Sequence, residues 1–161
     1  MKMQIRNIEN RDNHRVSELI RSVLTEYGAN RPGFAWQDPE LDRMSAAYDH
    51  SDRVYKVIES ESDVVGAGGF GPFLCAKYPY CCELQKMYLL PEARGKGWGR
   101  ALIEQLQREA KDLGYTHMYL ESLSTMEEAL RLYVKQGFKR LSDPLGDSGH
   151  TACDEWLLIA L

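Results

Sequence analysis

Near the start of the chain, apolar and polar residues alternate in MQIRNI, the period of a half-buried strand. The spacing then changes. Val16, Leu19, Ile20, Val23, Leu24 and Tyr27 recur every three or four residues, one face of a helix, with Asp12 placed to cap it and Gly28 to stop it. NRPGFAWQDP reads as a loop, and PELDRMSAAYDH as a short helix with Asp38 as its cap and Pro39 in its first turn. RVYKVIES and VVGAGGFGPFLC, separated by ESD, predict a hairpin, and the glycines of its second strand predict a bulge or a close backbone approach. CCELQKMYLL reads as a longer strand. Leu102, Leu106, Ala110 and Leu113 mark a helix face ended by Gly114. THMYLES is a strand and TMEEALRLYVKQ a helix stopped by Gly137. FKRL and ACDEWLLIAL are final strands around the polar loop SDPLGDSG.

The order β-α-α-β-β-β-α-β-α-β-β predicts an α/β fold, with a mixed, mostly antiparallel central sheet and helices on both faces. The stretch from Leu84 to Leu120 would form a right-handed parallel crossover. With 161 residues the chain is expected to form one domain, residues 1–161.

Composition narrows the function classes. Hydrophobic residues make up 43% and charged residues 27%, as in an ordinary globular protein. A formal net charge of -4 argues against a nucleic-acid partner. The start, MKMQIRNIENRD, lacks the apolar core of a secretory signal, and no apolar run approaches the ~20 residues that cross a bilayer. A cytoplasmic protein is expected. Cys75, Cys81, Cys82 and Cys153 form no CxxC pair, so reduced thiols are expected. His150 and Cys153 make a lone HxxC with no second pair to complete a zinc set, so no metal is expected.

The chemistry concentrates in ARGKGWGRALI. Gly95, Gly97 and Gly99 alternate with Arg94, Lys96 and Arg100 where a strand gives way to a helix. A helix N-terminus offers free N–H groups and the positive end of its dipole, and glycines let a ligand approach the backbone. That combination suits a phosphate or pyrophosphate. The P-loop pattern is absent, and the dinucleotide fingerprint GxGxxG fails because Arg100 stands at its last position.

The same residues resemble the pyrophosphate loop of the GCN5-related N-acetyltransferase (GNAT) superfamily, [QR]xxGx[GA], with Arg94, Gly97 and Gly99 in the defining places. ELQKMYLLPE is similar to that family's fourth strand. EEALRLYVKQGF is similar to its late helix-and-strand motif, with Ala129, Leu132, Tyr133, Gly137 and Phe138 in place. The resemblance spans nearly the whole chain. It implies acetyl-CoA as co-substrate, held by Met87, Tyr88, Leu89, Arg94, Gly95, Lys96, Gly97, Trp98, Gly99 and Arg100. It also implies transfer of the acetyl group to a primary amine by direct attack. One departure is visible. Where many members carry an Asn seven residues before the tyrosine, this chain has Met126, and Ser124 or Thr125 would have to replace its hydrogen bond.

Amine acetylation needs a base for the ammonium, donors for the thioester oxygen and an acid for the thiolate. Glu83, eleven residues before Arg94, matches the spacing of the catalytic glutamate in the histone-acetylating branch, and Glu121 is a second carboxylate that could serve. On an ideal strand Glu83, Gln85, Met87 and Leu89 share a face, an expectation that a β-bulge would overturn. Tyr133 matches the family's general acid. The oxyanion donor would be a backbone N–H near Met87. The acceptor pocket would draw on Tyr27, Phe34, Trp36, Tyr48, Tyr78 and Tyr80, with Asp38, Asp42 and Glu83 suited to an amine and His150 and Asp154 at the last loop. The acceptor is expected to be a small-molecule or peptide amine, and a homodimer is left open. Two other readings remain: an acyl-CoA-binding sensor on the same fold, and a nucleotide-dependent oxidoreductase.

Overall fold

The structure, a computed structural model, describes residues 2–161. Its elements follow the expected order: β1 (Met3–Asn7), α1 (Asn13–Glu26), α2 (Met44–Ala47), β2 (Val54–Ser60), β3 (Asp63–Pro72), β4 (Cys81–Leu89), α3 (Trp98–Asp112), β5 (His117–Ser122), α4 (Glu127–Lys135), β6 (Lys139–Leu141) and β7 (Glu155–Ala160). The strands form one seven-stranded sheet in the order β1-β2-β3-β4-β5-β7-β6, and only β4 and β5 run parallel. In β3 every residue from Val64 to Gly71 is buried, without alternation, because helices cover both faces of the sheet. Val16, Leu19, Ile20 and Leu24 of α1 and Leu102, Ile103 and Leu106 of α3 supply much of that cover.

Two local expectations change. Asp12 stands before α1 but does not cap it: its carboxylate takes two hydrogen bonds from Arg6, at 2.8 and 2.9 Å, and one from the Glu9 N–H. The second helix is a single turn, Met44–Ala47, preceded by a 3-10 turn at Ala35–Gln37. Asp38 therefore caps nothing, and its carboxylate is free for the site described below.

The central feature is a bulge in β4. Gly69 pairs with Gln85 and Ala67 with Tyr88, so Lys86 and Met87 together oppose Gly68 alone. Lys86 takes φ +46, a conformation a side chain disfavours. The glycines of β3 make room for it. A Cβ on Gly68 would meet the Met87 side chain at 3.0 Å, and one on Gly69 would lie 2.6 Å from the Tyr55 ring. Tyr55 crosses that gap and donates its hydroxyl to the Lys86 carbonyl at 2.7 Å.

Beyond the bulge the side chains change face. Gln85 and Lys86 both turn toward the segment that carries α2: Tyr48 reaches Gln85, and Glu40 reaches Lys86. Met87 and Leu89 turn instead to the N-terminal turn of α3, beside Gly99 and Leu102. The expected common face of Glu83, Gln85, Met87 and Leu89 is thus broken after Gln85.

Candidate active site

β4 pairs with β5 over only three positions, Cys81 to Glu83 against His117 to Tyr119. After Glu83 the strands part, and β5 continues beside β7 to Ser122. The backbone of β4 from Leu84 onward has no ladder on that side. Two cavities occupy the gap and share Met87, Tyr88, Met126 and Tyr133.

The larger cavity, ≈ 450 Å³, is a cleft between β4, the glycine loop and α4. Met87, Tyr88, Leu89, Arg94, Gly95, Gly97, Gly99 and Arg100 line it. Gly97, at φ +81, stands before α3, and the first backbone bond of that helix runs from the Ala101 N–H to Gly97 O at 3.1 Å. The N–H groups of Trp98, Gly99 and Arg100 precede it and give the cleft an anion-binding end. Lys96 and Trp98 do not line the cleft. The Lys96 ammonium lies 5.1 Å from the Trp98 ring, and Trp98 packs on the core.

Arg94 has another engagement than a phosphate. Its guanidinium forms a two-pronged bond to Glu26 at 2.7 and 2.8 Å and donates to Leu89 O at 3.0 Å. It therefore ties the loop to the end of α1 and to β4. Tyr27, expected at the acceptor pocket, lines this cleft instead, and the sequence reading missed two cations that line it, Arg131 and Lys135, one helical turn apart on α4. The i,i+4 spacing of the two cations within LRLYVK was the available signal.

The smaller cavity, ≈ 190 Å³, lies at the other end of the gap. Glu83 lines it with 9% exposure. Gln85 donates its amide to Glu83 Oε1 at 2.9 Å and accepts from the Tyr48 hydroxyl at 2.6 Å. Burial, with Glu121 nearby, raises the Glu83 carboxyl above the usual glutamate range and suits it to proton transfer. Glu121 accepts from the Tyr119 hydroxyl at 2.6 Å and from the Ser148 hydroxyl.

Lys86, with a side chain 5% exposed, meets Asp38 at 2.7 Å and Glu40 at 2.9 Å. Burial alone would lower this ammonium, but Tyr48, Asp38 and Glu40 around it raise it. His150 Nε2 lies 2.9 and 3.0 Å from the two Asp38 oxygens. The Asp38 carboxylate raises the imidazole against the opposing effect of burial. Burial would raise Asp38 in turn, but His150 and Lys86 hold it below the usual aspartate range. No sequence pattern singled out Lys86, although a lysine inside an apolar strand was a signal.

Tyr133 stands where the two cavities meet. Burial pushes its phenol up to about 12, so it keeps its proton. Met126 lines both cavities, while Ser124 gives its N–H and hydroxyl to Asp154, each at 2.8 Å, and takes no part. Of the expected aromatics, Phe34 lines the smaller cavity and Tyr48 holds Gln85. Trp36 packs on the core, and Tyr78 stacks on His117 at 4.2 Å. Tyr80 is exposed, and Asp42 pairs with Arg21 at 2.7 Å. Cys153 lines the smaller cavity with its thiol pushed by burial up to about 12, a poor nucleophile.

The sequence model of the acetyltransferase (GNAT) family matches residues 16–138. YjgM of Escherichia coli (strain K12), named as an uncharacterized N-acetyltransferase, is 37% identical over 155 residues, 96% of this chain and 92% of that protein. A GNAT-family acetyltransferase from Staphylococcus aureus Mu50 has the same fold, with a TM-score of 0.82 at 16% identity over 99% of both chains. The protein YncA from Salmonella typhimurium, solved with its cofactor acetyl-CoA, matches at a TM-score of 0.76 and 23% identity, over 99% of this chain and 94% of that one.

Proposed function

Because the chain belongs to the GNAT acetyltransferase family, we propose that it moves an acetyl group from acetyl-CoA to a primary amine by direct attack on the thioester, within one transferase domain of residues 1–161. The observation that carries this reading is the meeting of the two cavities at Met87, Tyr88, Met126 and Tyr133, with an anion-binding helix end beyond one and a raised carboxyl in the other. The acetyl-CoA pyrophosphate would lie on the N–H groups that open α3, with Arg131 and Lys135 supplying cations that Arg94 does not. The pantetheine arm would take the place of the missing strand partner along Met87 to Leu89. Past Glu83 the β4 backbone has no β5 partner, and a backbone N–H near Met87 would stabilise the thioester oxygen.

The amine enters as an ammonium. Lys86 and His150 are already neutralised by Asp38 and Glu40, whereas Glu83 and Glu121 have only neutral hydrogen-bond donors. The cavity thus draws in a cation. Glu83 takes its proton, the neutral nitrogen attacks the acetyl carbonyl carbon, and the C–S bond breaks. Tyr133 gives its proton to the departing thiolate, and the second proton that the nitrogen sheds as the amide forms restores the phenol.

Calorimetry with acetyl-CoA and with NAD tests the cofactor half of this reading. Acetyl-CoA should bind and raise the melting temperature, by about 2.7 kcal/mol of stability at a hundredfold excess over Kd, and NAD should do neither. Equal binding of NAD would return the oxidoreductase reading. In Gly97→Ala the backbone at φ +81 is strained by about 1–2 kcal/mol, and acetyl-CoA affinity should fall.

A further inference from the structure

Two segments far apart in the chain roof the smaller cavity. Residues 29–43 contribute Phe34, Asp38 and Glu40, and residues 142–154 contribute Ser148, His150 and Cys153. They meet at two points. One is the His150–Asp38 pair, and the other is a hydrogen bond from the Ala152 N–H to Gly33 O at 3.1 Å. At the second point a Cβ on Gly33 would lie 2.8 Å from the Ala152 methyl group. Both segments are also fastened to the floor, because Lys86 on β4 holds Asp38 and Glu40 while Ser148 bonds Glu121 on β5.

The space beneath this roof is small. Its volume is ≈ 190 Å³. That is below the ~300–1,000 Å³ of pockets that take drug-sized ligands. A polypeptide grows by about 3.3–3.6 Å per extended residue. A first residue would take up much of the cavity, and the chain that follows would meet the seam where His150 is held to Asp38.

We infer that the acceptor is a small free amine held beneath the roof, not the terminus or a lysine of a polypeptide, and that the Asp38–His150 latch excludes the longer chain. This inference rests on the transferase reading above and names the substrate class of the same site. The latch residues are positioning residues. They hold the two segments together and leave the thioester chemistry to β4 and α4.

The test measures acetyl transfer from acetyl-CoA, by mass spectrometry, to two acceptor sets. One holds butylamine, putrescine, ethanolamine and free amino acids, and the other is a random decapeptide library with free termini and lysines. At least one small amine should be acetylated, with kcat/KM exceeding that of the peptides by about a hundredfold or more, two tenfold steps of 1.4 kcal/mol. In His150→Ala that ratio should narrow by about tenfold through faster peptide acetylation, with acetyl-CoA affinity unchanged. Peptides acetylated as well as small amines by the unaltered protein would overturn the size class and leave the transferase reading standing. An unchanged ratio in His150→Ala would remove the latch from specificity. If acetyl-CoA binds and neither set is acetylated, the transferase reading falls, and the inference with it.

Discussion

Replacing Glu83 by Gln tests the proton path at one atom. Glutamine has the same shape and can still accept the Gln85 amide at Oε1, so the Tyr48–Gln85–residue 83 chain should survive. What is lost is the base. Without it only the amine that arrives neutral can react. For an alkylamine near the lysine value of about 10.4, that is roughly one molecule in a thousand at pH 7.4 and one in ten at pH 9.4. The loss in kcat/KM should therefore lie within about 10²–10⁴-fold near neutrality and shrink by about two orders of magnitude at the higher pH. In the unaltered protein the acid limb of the profile should fall above the ordinary glutamate range, because burial and Glu121 raise the Glu83 carboxyl.

Stability should move the other way. The folded state holds the Glu83 proton to a higher pH than the unfolded chain does. Stability from this group is therefore full at low pH and declines as pH rises from the ordinary glutamate value through the raised one. Glu83→Gln should melt higher than the unaltered protein at pH 8 and near it at pH 4. Profiles of kcat/KM against pH, with melting curves at the same pH values, decide the matter. A loss independent of pH would mean that Glu83 positions the amine and takes no proton, and an effect confined to Glu121→Gln would move the base there.

Tyr133→Phe should lower kcat by about 10²–10⁴-fold when chemistry limits the rate. Acetyl-CoA affinity should hold, because the ring keeps its edge contact with Phe138 at 5.9 Å; undiminished turnover would remove Tyr133 from the mechanism. Lys86→Met leaves Asp38 and Glu40 beside an apolar side chain and should cost about 3–5 kcal/mol, read as a melting temperature lower by about 2–4 °C per kcal/mol. Asp38, held below its ordinary range, contributes stability above the unfolded value and loses it as pH falls, so the gap to the unaltered protein should narrow in acid.

The order of elements and the glycine loop could be read from periodicity and punctuation, because both depend on neighbours a few residues apart. The bulge was only partly legible. The glycines of VVGAGGFG announced a close approach, but the crowding of Met87 and Tyr55 around Gly68 and Gly69 depends on strand register, which one sequence does not fix. That is why Met87 and Leu89 were expected on the face of Glu83. Arg94 illustrates a second limit. It fits the loop pattern, yet its partner Glu26 lies 68 residues away at the end of α1. The Asp38–His150 pair joins loops 112 residues apart, beyond any local rule. The four-residue α2 lost to tertiary context: the residues expected to start it, Asp38 and Glu40, hold Lys86 instead.

Direct transfer is the central claim, and the mass of the chain tests it most directly. The protein is mixed with acetyl-CoA labelled in the acetyl group, without an amine, quenched, and its intact mass measured. An acceptor amine is then added, and the label is followed. The account predicts an unmodified chain in the first step, since the Cys153 thiol stays protonated well above neutral pH. In the second step it predicts one labelled N-acetyl product for each free thiol of CoA. A chain heavier by one acetyl group before the amine is added, and restored to its starting mass afterwards, would show an acyl-enzyme and contradict it.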